Sequence, residues 1–539
     1  MEDVTAHAVR LLVQTQSGGV DEVLPLSEEL LRARTGNLAD GPAPYHFVRA
    51  VSFFVLNQFR EAISASDLMV AAADREDSPG WRACALSLRA ELRQRLGEAD
   101  LAEFDIDAVL RDLAAAEVAL VAGEPDPVVA GNAHTGIALG YHQLRLYELA
   151  DPHYQKAYEA SMLAAEDIGN PAMWLVNLAQ LHLEWALELY QVGYVNDAEK
   201  HMAEAERYAL RSCDEATGTA AASWRMCGAL FAACARADGP DPAAAAEDIL
   251  RCLADVRTAG EFVDRVGLCQ PFLAVALERS GRTAEALTVL EQAIAELPAQ
   301  GEWLALAAAR RTQVLLLSAQ GAAGAAAGLA YGDLLATTMW RQRQQTLHTA
   351  MTMVSYQTLR SEHERVARAA ETDPLTGVAN RRGFDRIVAA LAEQSIPGVS
   401  QQVAAILIDM DKFKLINDTL GHAAGDEALS TVARALAGCV RDGDVVARLG
   451  GDEFAALLPG AAPADAVRIA QRMVEAVRAV PDCLATLSVG VAGGAAAAVR
   501  DTLARADQAM YVAKRAGGDR VAAGPAPDPP TPARLTGPT

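Results

Sequence analysis

Arg448-Leu449-Gly450-Gly451-Asp452-Glu453-Phe454 is the stretch from which the rest of the chain is read. Val445-Val446-Ala447 precedes it and Ala455-Ala456-Leu457-Leu458 follows, so two apolar runs flank a glycine pair. That is the pattern of a tight hairpin turn between two strands. Glycine presents no side chain to a bulky ligand, and its backbone N–H groups can face a phosphate. The two acids after the turn are of the type that holds the metal a phosphate requires. Gly-Gly-Asp is also ordinary turn chemistry, with solvated acids. The segments on either side decide between these readings.

Upstream, Val403-Ala404-Ala405-Ile406-Leu407-Ile408 is a continuous apolar run that ends in Asp409-Met410-Asp411, the pattern of a buried central strand. Acids at the carboxyl end of such a strand stand where α/β folds keep their ligands, which makes Asp409 the first metal-ligand candidate. Asp411, just before Lys412-Phe413-Lys414, is read as the N-cap of the next helix. On that helix Lys414 and Asn417 share a face, a cation for phosphate beside an amide able to read a base edge. Asp426 lies near the start of a further helix, as a cap or as an acceptor for the N1–H and N2–H donors of guanine. Downstream, Thr486-Leu487-Ser488-Val489-Gly490-Val491 is strand-like, and the helix 506–514 ends in Lys514, before Gly517-Gly518.

These pieces occur in a fixed order. Asp373-Pro374-Leu375-Thr376-Gly377 with Asn380-Arg381-Arg382, Asp409-Met410-Asp411 with Phe413-Lys414 and Asn417-Asp418, Gly421-His422 with Gly425-Asp426, the glycine-acid turn, Ser488-Val489-Gly490 and Ala513-Lys514 together resemble the GGDEF family of diguanylate cyclases. The resemblance covers 373–523. It implies an α/β, nucleotidyl-cyclase-like domain with a central, mostly antiparallel sheet, which joins two GTP into cyclic di-GMP with release of two pyrophosphates. It further implies two divalent cations per site, Mg2+ or Mn2+, on Asp409, the Met410 carbonyl, Asp452 and Glu453. Asn417 and Asp426 would read guanine with His422 adjoining, and Phe413, Gly450 and Gly451 would complete the substrate site. Lys414 and Lys514 would balance triphosphate charge, Lys414 also in the transition state; Asp452 and Glu453 would govern activation of the 3′-hydroxyl. Phosphoryl chemistry needs such cationic clamps and in-line positioning. Each domain would hold one GTP, so catalysis implies a homodimer.

Two local features qualify the resemblance. The family usually carries an arginine four residues past the lysine, where this chain has Gly518. Arg441-Asp442-Gly443-Asp444 has the spacing of the family's inhibitory product site, in which Arg441 and Asp444 would bind cyclic di-GMP; as plain chemistry it is also a good polar turn. No Glu-x-Leu phosphodiesterase motif accompanies the domain, so synthesis alone is expected. The rival reading is an inactive domain that binds GTP or cyclic di-GMP and signals by contact.

The front of the chain is different. Residues 5–320 are rich in Ala, Leu, Glu and Arg with apolar residues at helical spacing, and Gly281-Arg-Thr-Ala-Glu-Ala286 with Leu290, Ala293 and Pro298 recurs in part at Gly193, Ala198, Met202 and Ala205. Weaker copies lie around Ala62 and around Ala150, Tyr154 and Ala157. Ala62, Ala150, Ala198 and Ala286 stand 88, 48 and 88 positions apart. The pattern resembles divergent tetratricopeptide repeats, against an irregular helical bundle as the alternative. An all-α helical-repeat solenoid is therefore expected over 1–330, presenting a surface to a protein or peptide partner. The histidines His7, His46, His134, His142, His153, His182 and His201 include no two on adjacent turns of one helix face, and each is read as a packing or surface residue.

Ala/Gly-rich residues 321–332 lead into a connecting helix over 331–372. Trp340, Leu347 and Val354 recur every seventh position and Leu359 and Val366 in a shifted register, so either a weak coiled coil or a single amphipathic helix fits. A proline-rich, disordered tail is expected over 524–539.

Composition bounds the partners. Hydrophobic residues make up 51% and charged residues 22%, a globular balance. The net charge of −23 opposes nonspecific binding to nucleic acid or to an anionic membrane. Eight cysteines, Cys84, Cys213, Cys227, Cys234, Cys252, Cys269, Cys439 and Cys483, form no Cys-x-x-Cys pair and are expected to be buried thiols in a reducing compartment. The acidic N-terminus carries no signal pattern and no apolar run reaches a membrane span, so a cytoplasmic protein is expected.

Overall fold

The computed structural model describes residues 4–33, 36–99, 104–123, 125–163, 170–217, 221–260, 265–297, 303–393, 401–441, 443–481 and 484–525. Pro298, Asp442, Cys483 and the tail from 526 lie outside the described residues. The chain divides into two compact units, Met1–Leu359 and Arg360–Thr539.

The first unit is helical throughout its described residues, and successive helices pack on one another, Pro127–Gln143 on Tyr147–Leu163 and Ala172–Gln191 on Val195–Glu215 among them. The alanine spacing has a structural counterpart. Ala62, Ala150, Ala198 and Ala286 are all fully buried, which lets the paired helices approach closely. Five residues before each stands a left-handed residue, Asn57, Arg145, Gly193 and Gly281, with φ of 57°, 58°, 82° and 82°. At each of these turns the following N–H reaches back to the carbonyl five residues before it, in Gln58 to Phe53, Leu146 to Tyr141, Tyr194 to Leu189 and Arg282 to Leu277 at 2.8–2.9 Å. This helix-closing bond satisfies a carbonyl that would otherwise be left without a partner. The unit is a series of helical pairs, and nothing among its described residues singles out the tetratricopeptide type.

The histidines do pair, but between helices. His134 and His153 face each other with Nδ1 atoms 2.8 Å apart, and His182 and His201 repeat the contact at 2.9 Å. In each pair one ring donates and the other accepts. The six described buried cysteines behave as small apolar groups, while Cys213 is half-exposed.

The helix Ala325–Glu371 begins after Gly321 and Gly324, both in left-handed conformation. Within the first unit its Leu347 and Ala350 are buried, and Arg343, wholly buried, donates to the Arg145 carbonyl at 2.5 Å and to Glu148. Leu359 and Val366 are exposed.

The second unit is built on a six-stranded sheet of β1 (Ala379–Asn380), β2 (Gln402–Asp411), β3 (Val445–Gly450), β4 (Glu453–Pro459), β5 (Thr486–Ala495) and β6 (Arg520–Ala523), in the order β1-β3-β4-β2-β5-β6. The four inner strands are antiparallel and the two edge strands join in parallel. Ala404, Ile406 and Ile408 of β2 pack with Val432 and Leu436 of helix His422–Ala437 and Met473 of helix Pro463–Arg478. Val403 and Ala405 face the other way, toward Phe384 and Val388 of helix Arg381–Glu393 and Ala506 of helix Val499–Arg515. A strand covered on both faces needs apolar residues at every position, hence the unbroken run.

Candidate active site

The hairpin stands where expected. β3 and β4 pair antiparallel, and the register slips between Arg448 and Gly450, so that Gly450 faces Glu453. Gly450 and Gly451 take φ of 148° and 56°, conformations in which a side chain is strained. Two contacts hold the turn. The Asp452 carbonyl accepts from Met410 N at 3.1 Å, tying the turn to the end of β2. Arg448 Nε and Nη2 donate to the Gly451 carbonyl at 3.0 and 2.9 Å, while its Nη1 reaches the Asp373 carboxylate at 3.3 Å. Asp373 in turn accepts from the Thr376 N–H and hydroxyl at 2.9 and 2.7 Å. Burial would raise its carboxyl, but the Thr376 donors and the Arg448 guanidinium outweigh burial and hold it below the usual range. The bracing of the turn by Asp373 and Arg448 was not part of the sequence reading.

Register brings the acids together. Asp409 pairs directly with Glu453 across β2 and β4, and with Ser488 across β2 and β5. It is 4% exposed, and Lys514 Nζ stands 2.5 Å from its Oδ2. Burial raises the Asp409 carboxyl; Lys514 pulls it down, and the charges of Asp452 and Glu453 push it up again. Of these acids, Asp409 is the one that pairs with the Lys514 ammonium, while Asp452 and Glu453 act on it through their charge. Among the described residues no three His, Cys, Asp or Glu groups already surround one point. Their chemistry still suits a hard cation: Mg2+ is held by one or two carboxylates together with substrate phosphates, rather than by an all-protein cage.

Beyond β2, Lys412 takes a left-handed conformation (φ 58°) and opens helix Phe413–Leu420 with no side-chain cap. The cap reading of Asp411 is therefore wrong: its carboxylate accepts from Thr486, Ser488 and the N–H of Asp519 instead. Phe413 packs on the core, Lys414 is exposed, and Asn417 is half-buried with Gly425 of the next helix directly against its side chain. Asp426 is no cap either, since helix His422–Ala437 begins four residues earlier after Gly421; its side chain is exposed, as is His422.

Arg441 and Asp444 line a separate pocket of about 310 Å3 with Arg468 and Arg472. Arg441 N donates to Asp444 Oδ2 at 3.2 Å and its Nη2 to the Pro459 carbonyl at 3.0 Å, which is turn chemistry. Asp444 Oδ1 is buried without a hydrogen-bond partner, with Arg441 Nε 3.5 Å away. Arg468 and Arg472, on helix Pro463–Arg478, carry no motif that marks them in the sequence; only packing brings them here.

Residues 370–520 match the family model described as the diguanylate cyclase GGDEF domain, and the second unit accordingly carries a GGDEF domain. Among curated proteins, the diguanylate cyclase TpbB of Pseudomonas aeruginosa is 43% identical over 172 residues, 29% of this chain and 38% of TpbB. The response regulator PleD of Caulobacter vibrioides is 41% identical over 175 residues, 30% of this chain and 38% of PleD. The chain thus spans less than two-fifths of the length of either relative. A solved structure of the coiled coil and GGDEF domain of DgcB from Caulobacter crescentus, in complex with c-di-GMP, aligns with a TM-score of 0.30 at 28% identity, covering 33% of this chain and 97% of that one.

Proposed function

We propose that this protein is a diguanylate cyclase that condenses two GTP into cyclic di-GMP and two pyrophosphates. The observation that carries this reading is that strand register sets Asp409, ion-paired to Lys514, opposite Glu453 of the two-glycine turn, close enough for the charges of Asp452 and Glu453 to act on it. Asp409, the Met410 carbonyl, Asp452 and Glu453 would hold the Mg2+ or Mn2+ ions, two per site. Bound there, such ions neutralise charge on the transferring phosphoryl group and lower the pKa of a coordinated hydroxyl. The glycine turn admits the triphosphate, whose charge Lys414 and Lys514 meet; as charge develops in the transition state, Lys414 stabilises it. Asn417 and Asp426 recognise guanine, with Phe413 and His422 at its margin. One domain binds one GTP, so two copies meet face to face and each supplies the hydroxyl that attacks the other's nucleotide. With Mg2+ and GTP the purified chain should form cyclic di-GMP, and Asp452→Ala should abolish it. GTP binding without turnover at high protein concentration would leave a signalling module instead.

Regulation follows the same reading. Cyclic di-GMP would bind at Arg441 and Asp444, a place favoured by the buried oxygen of Asp444 that lacks a donor. Arg441→Ala should then relieve inhibition by added product; unchanged inhibition would reject the site. The helical repeats would bind a protein or peptide and set activity through the connecting segment 331–372, so removal of the residues before Asp333 should change dimerisation or rate. Nucleic acid and membrane are not proposed partners. Among the described residues no helix is long and apolar enough to cross a membrane, and the proposed setting is the cytoplasm.

A further inference from the structure

Asp411 has no part in the roles described above, yet its carboxylate is among the most engaged in the second unit. It ends β2 two residues after Asp409 and so lies on the same side of the sheet. Ser488 Oγ donates to its Oδ1 at 2.5 Å, and Thr486 Oγ1 and Asp519 N donate to its Oδ2 at 2.9 and 2.8 Å. The last of these donors belongs to the turn that closes helix Val499–Arg515. There Gly517 N and Gly518 N donate back to the Lys514 and Ala513 carbonyls, both at 3.1 Å. Gly518 is buried at φ +74°, and a Cβ on it would fall 2.7–2.8 Å from the atoms of the Asp411 carboxylate. On the far side, Arg478 Nε holds both Asp519 carboxylate oxygens at 2.9 and 3.0 Å, and its Nη2 donates to the Asp519 carbonyl at 2.7 Å. The turn is thus gripped from two sides.

We propose that Asp411 is a positioning residue that acts through Lys514. By holding the 517–519 turn it sets the last turn of the helix, and with it the place of the Lys514 ammonium against Asp409. This rests on the nucleotide reading above. The grip matters because a lysine side chain is long and loses much rotamer freedom when it is fixed, so its effect depends on where its backbone is anchored. It matters more in this chain because Gly518, on the same turn, offers no cation of its own to the phosphate charge proposed above. Glycine also permits the flat approach of the turn to Asp411.

The test is a double-mutant cycle on the full chain, with affinity for a non-hydrolysable GTP analogue and Mg2+ read by calorimetry. Asp411→Ala and Lys514→Ala should each weaken binding about tenfold, about 1.4 kcal/mol, and the double variant should be no worse than the weaker single. Asp411→Asn, which keeps the shape and, with its oxygen in the Oδ2 place, still accepts from Thr486 and the Asp519 N–H while its amide donates to the Ser488 hydroxyl, should retain most of the affinity and guards against a folding defect. Losses that multiply in the double variant would overturn the proposal. Hydrogen exchange in nucleotide-free protein reads the grip separately: residues 510–520 should exchange faster in Asp411→Ala, and unchanged exchange would overturn the proposal even where GTP binds. A wild-type chain that bound no nucleotide would instead remove the nucleotide reading, while the exchange result would still decide whether Asp411 anchors the Lys514 turn.

Discussion

Asp409 is a carboxyl under opposed pressures. Burial and the neighbouring Asp452 and Glu453 favour its neutral form, and Lys514 alone holds it charged. A divalent cation would relieve that conflict, in keeping with the metal-phosphate site proposed above. Arg448 braces the turn from outside the proposed ligand set. Its fork spans the Gly451 carbonyl and Asp373, a geometry lysine cannot reproduce. Arg448→Ala should lower the rate of cyclic di-GMP formation about tenfold, or about 1.4 kcal/mol, with Arg448→Lys recovering only part of it. A steady-state assay at saturating GTP checks this, and wild-type rates in both variants would show that the turn holds itself. The candidate acids and lysines were legible because they sit in ordered motifs. Asp411 and Asp426 were misassigned as caps, or left open between cap and ligand, because capping depends on the helix start, and Lys412 and Gly421 shift that start by their own positive-φ backbone.

At the scale of elements, two patterns were readable for physical reasons. β2 is apolar from Val403 to Ile408 because both of its faces are covered there, and the repeat alanines recur because a helix pair with a close approach admits little else. Ala150 lies fully buried just after the left-handed Arg145, which makes it a good probe of that packing. Ala150→Leu should destabilise the first unit by about 1–3 kcal/mol through overpacking, seen as a lower urea midpoint. A midpoint within experimental scatter of wild type would mean that the helices are not closely packed there. The histidine pairs escaped notice because periodicity compares residues along one helix, while His134–His153 and His182–His201 meet between successive helices. Their signal was nonetheless present: both partners recur at the same 48-residue interval that separates Ala150 from Ala198.

For the molecule as a whole, buried histidines of the first unit make the fold sensitive to acid. Burial, then Arg49 and Arg75, lower His46 to about 4; burial, then His153 and Lys156, do the same to His134, and burial with His182 to His201. In the unfolded chain these rings take up a proton near 6.5, while in the folded chain they stay neutral until about 4. The unfolded state therefore binds more protons in between, and stability falls as pH drops from 6.5 toward 4. For the fully buried His46 the difference corresponds to roughly 3 kcal/mol. Glu117, Asp151 and Glu184, whose burial is outweighed by histidine partners that hold them below the usual range, add losses in the same direction at still lower pH. Melting temperatures measured from pH 7.5 to 5 should fall, less so in His46→Gln, and a flat profile would contradict these assignments. From the sequence alone follow the helical front, the sheet domain behind it, the glycine-acid turn and the motif residues around it, because periodicity, turn chemistry and motif spacing are relations between near neighbours in the chain. Only the tertiary structure decides that Asp409 faces Glu453 and meets Lys514, that Asp373 braces the turn through Arg448, and that Asp411 grips Asp519. Each of these contacts depends on strand register or helix placement, which no local pattern specifies.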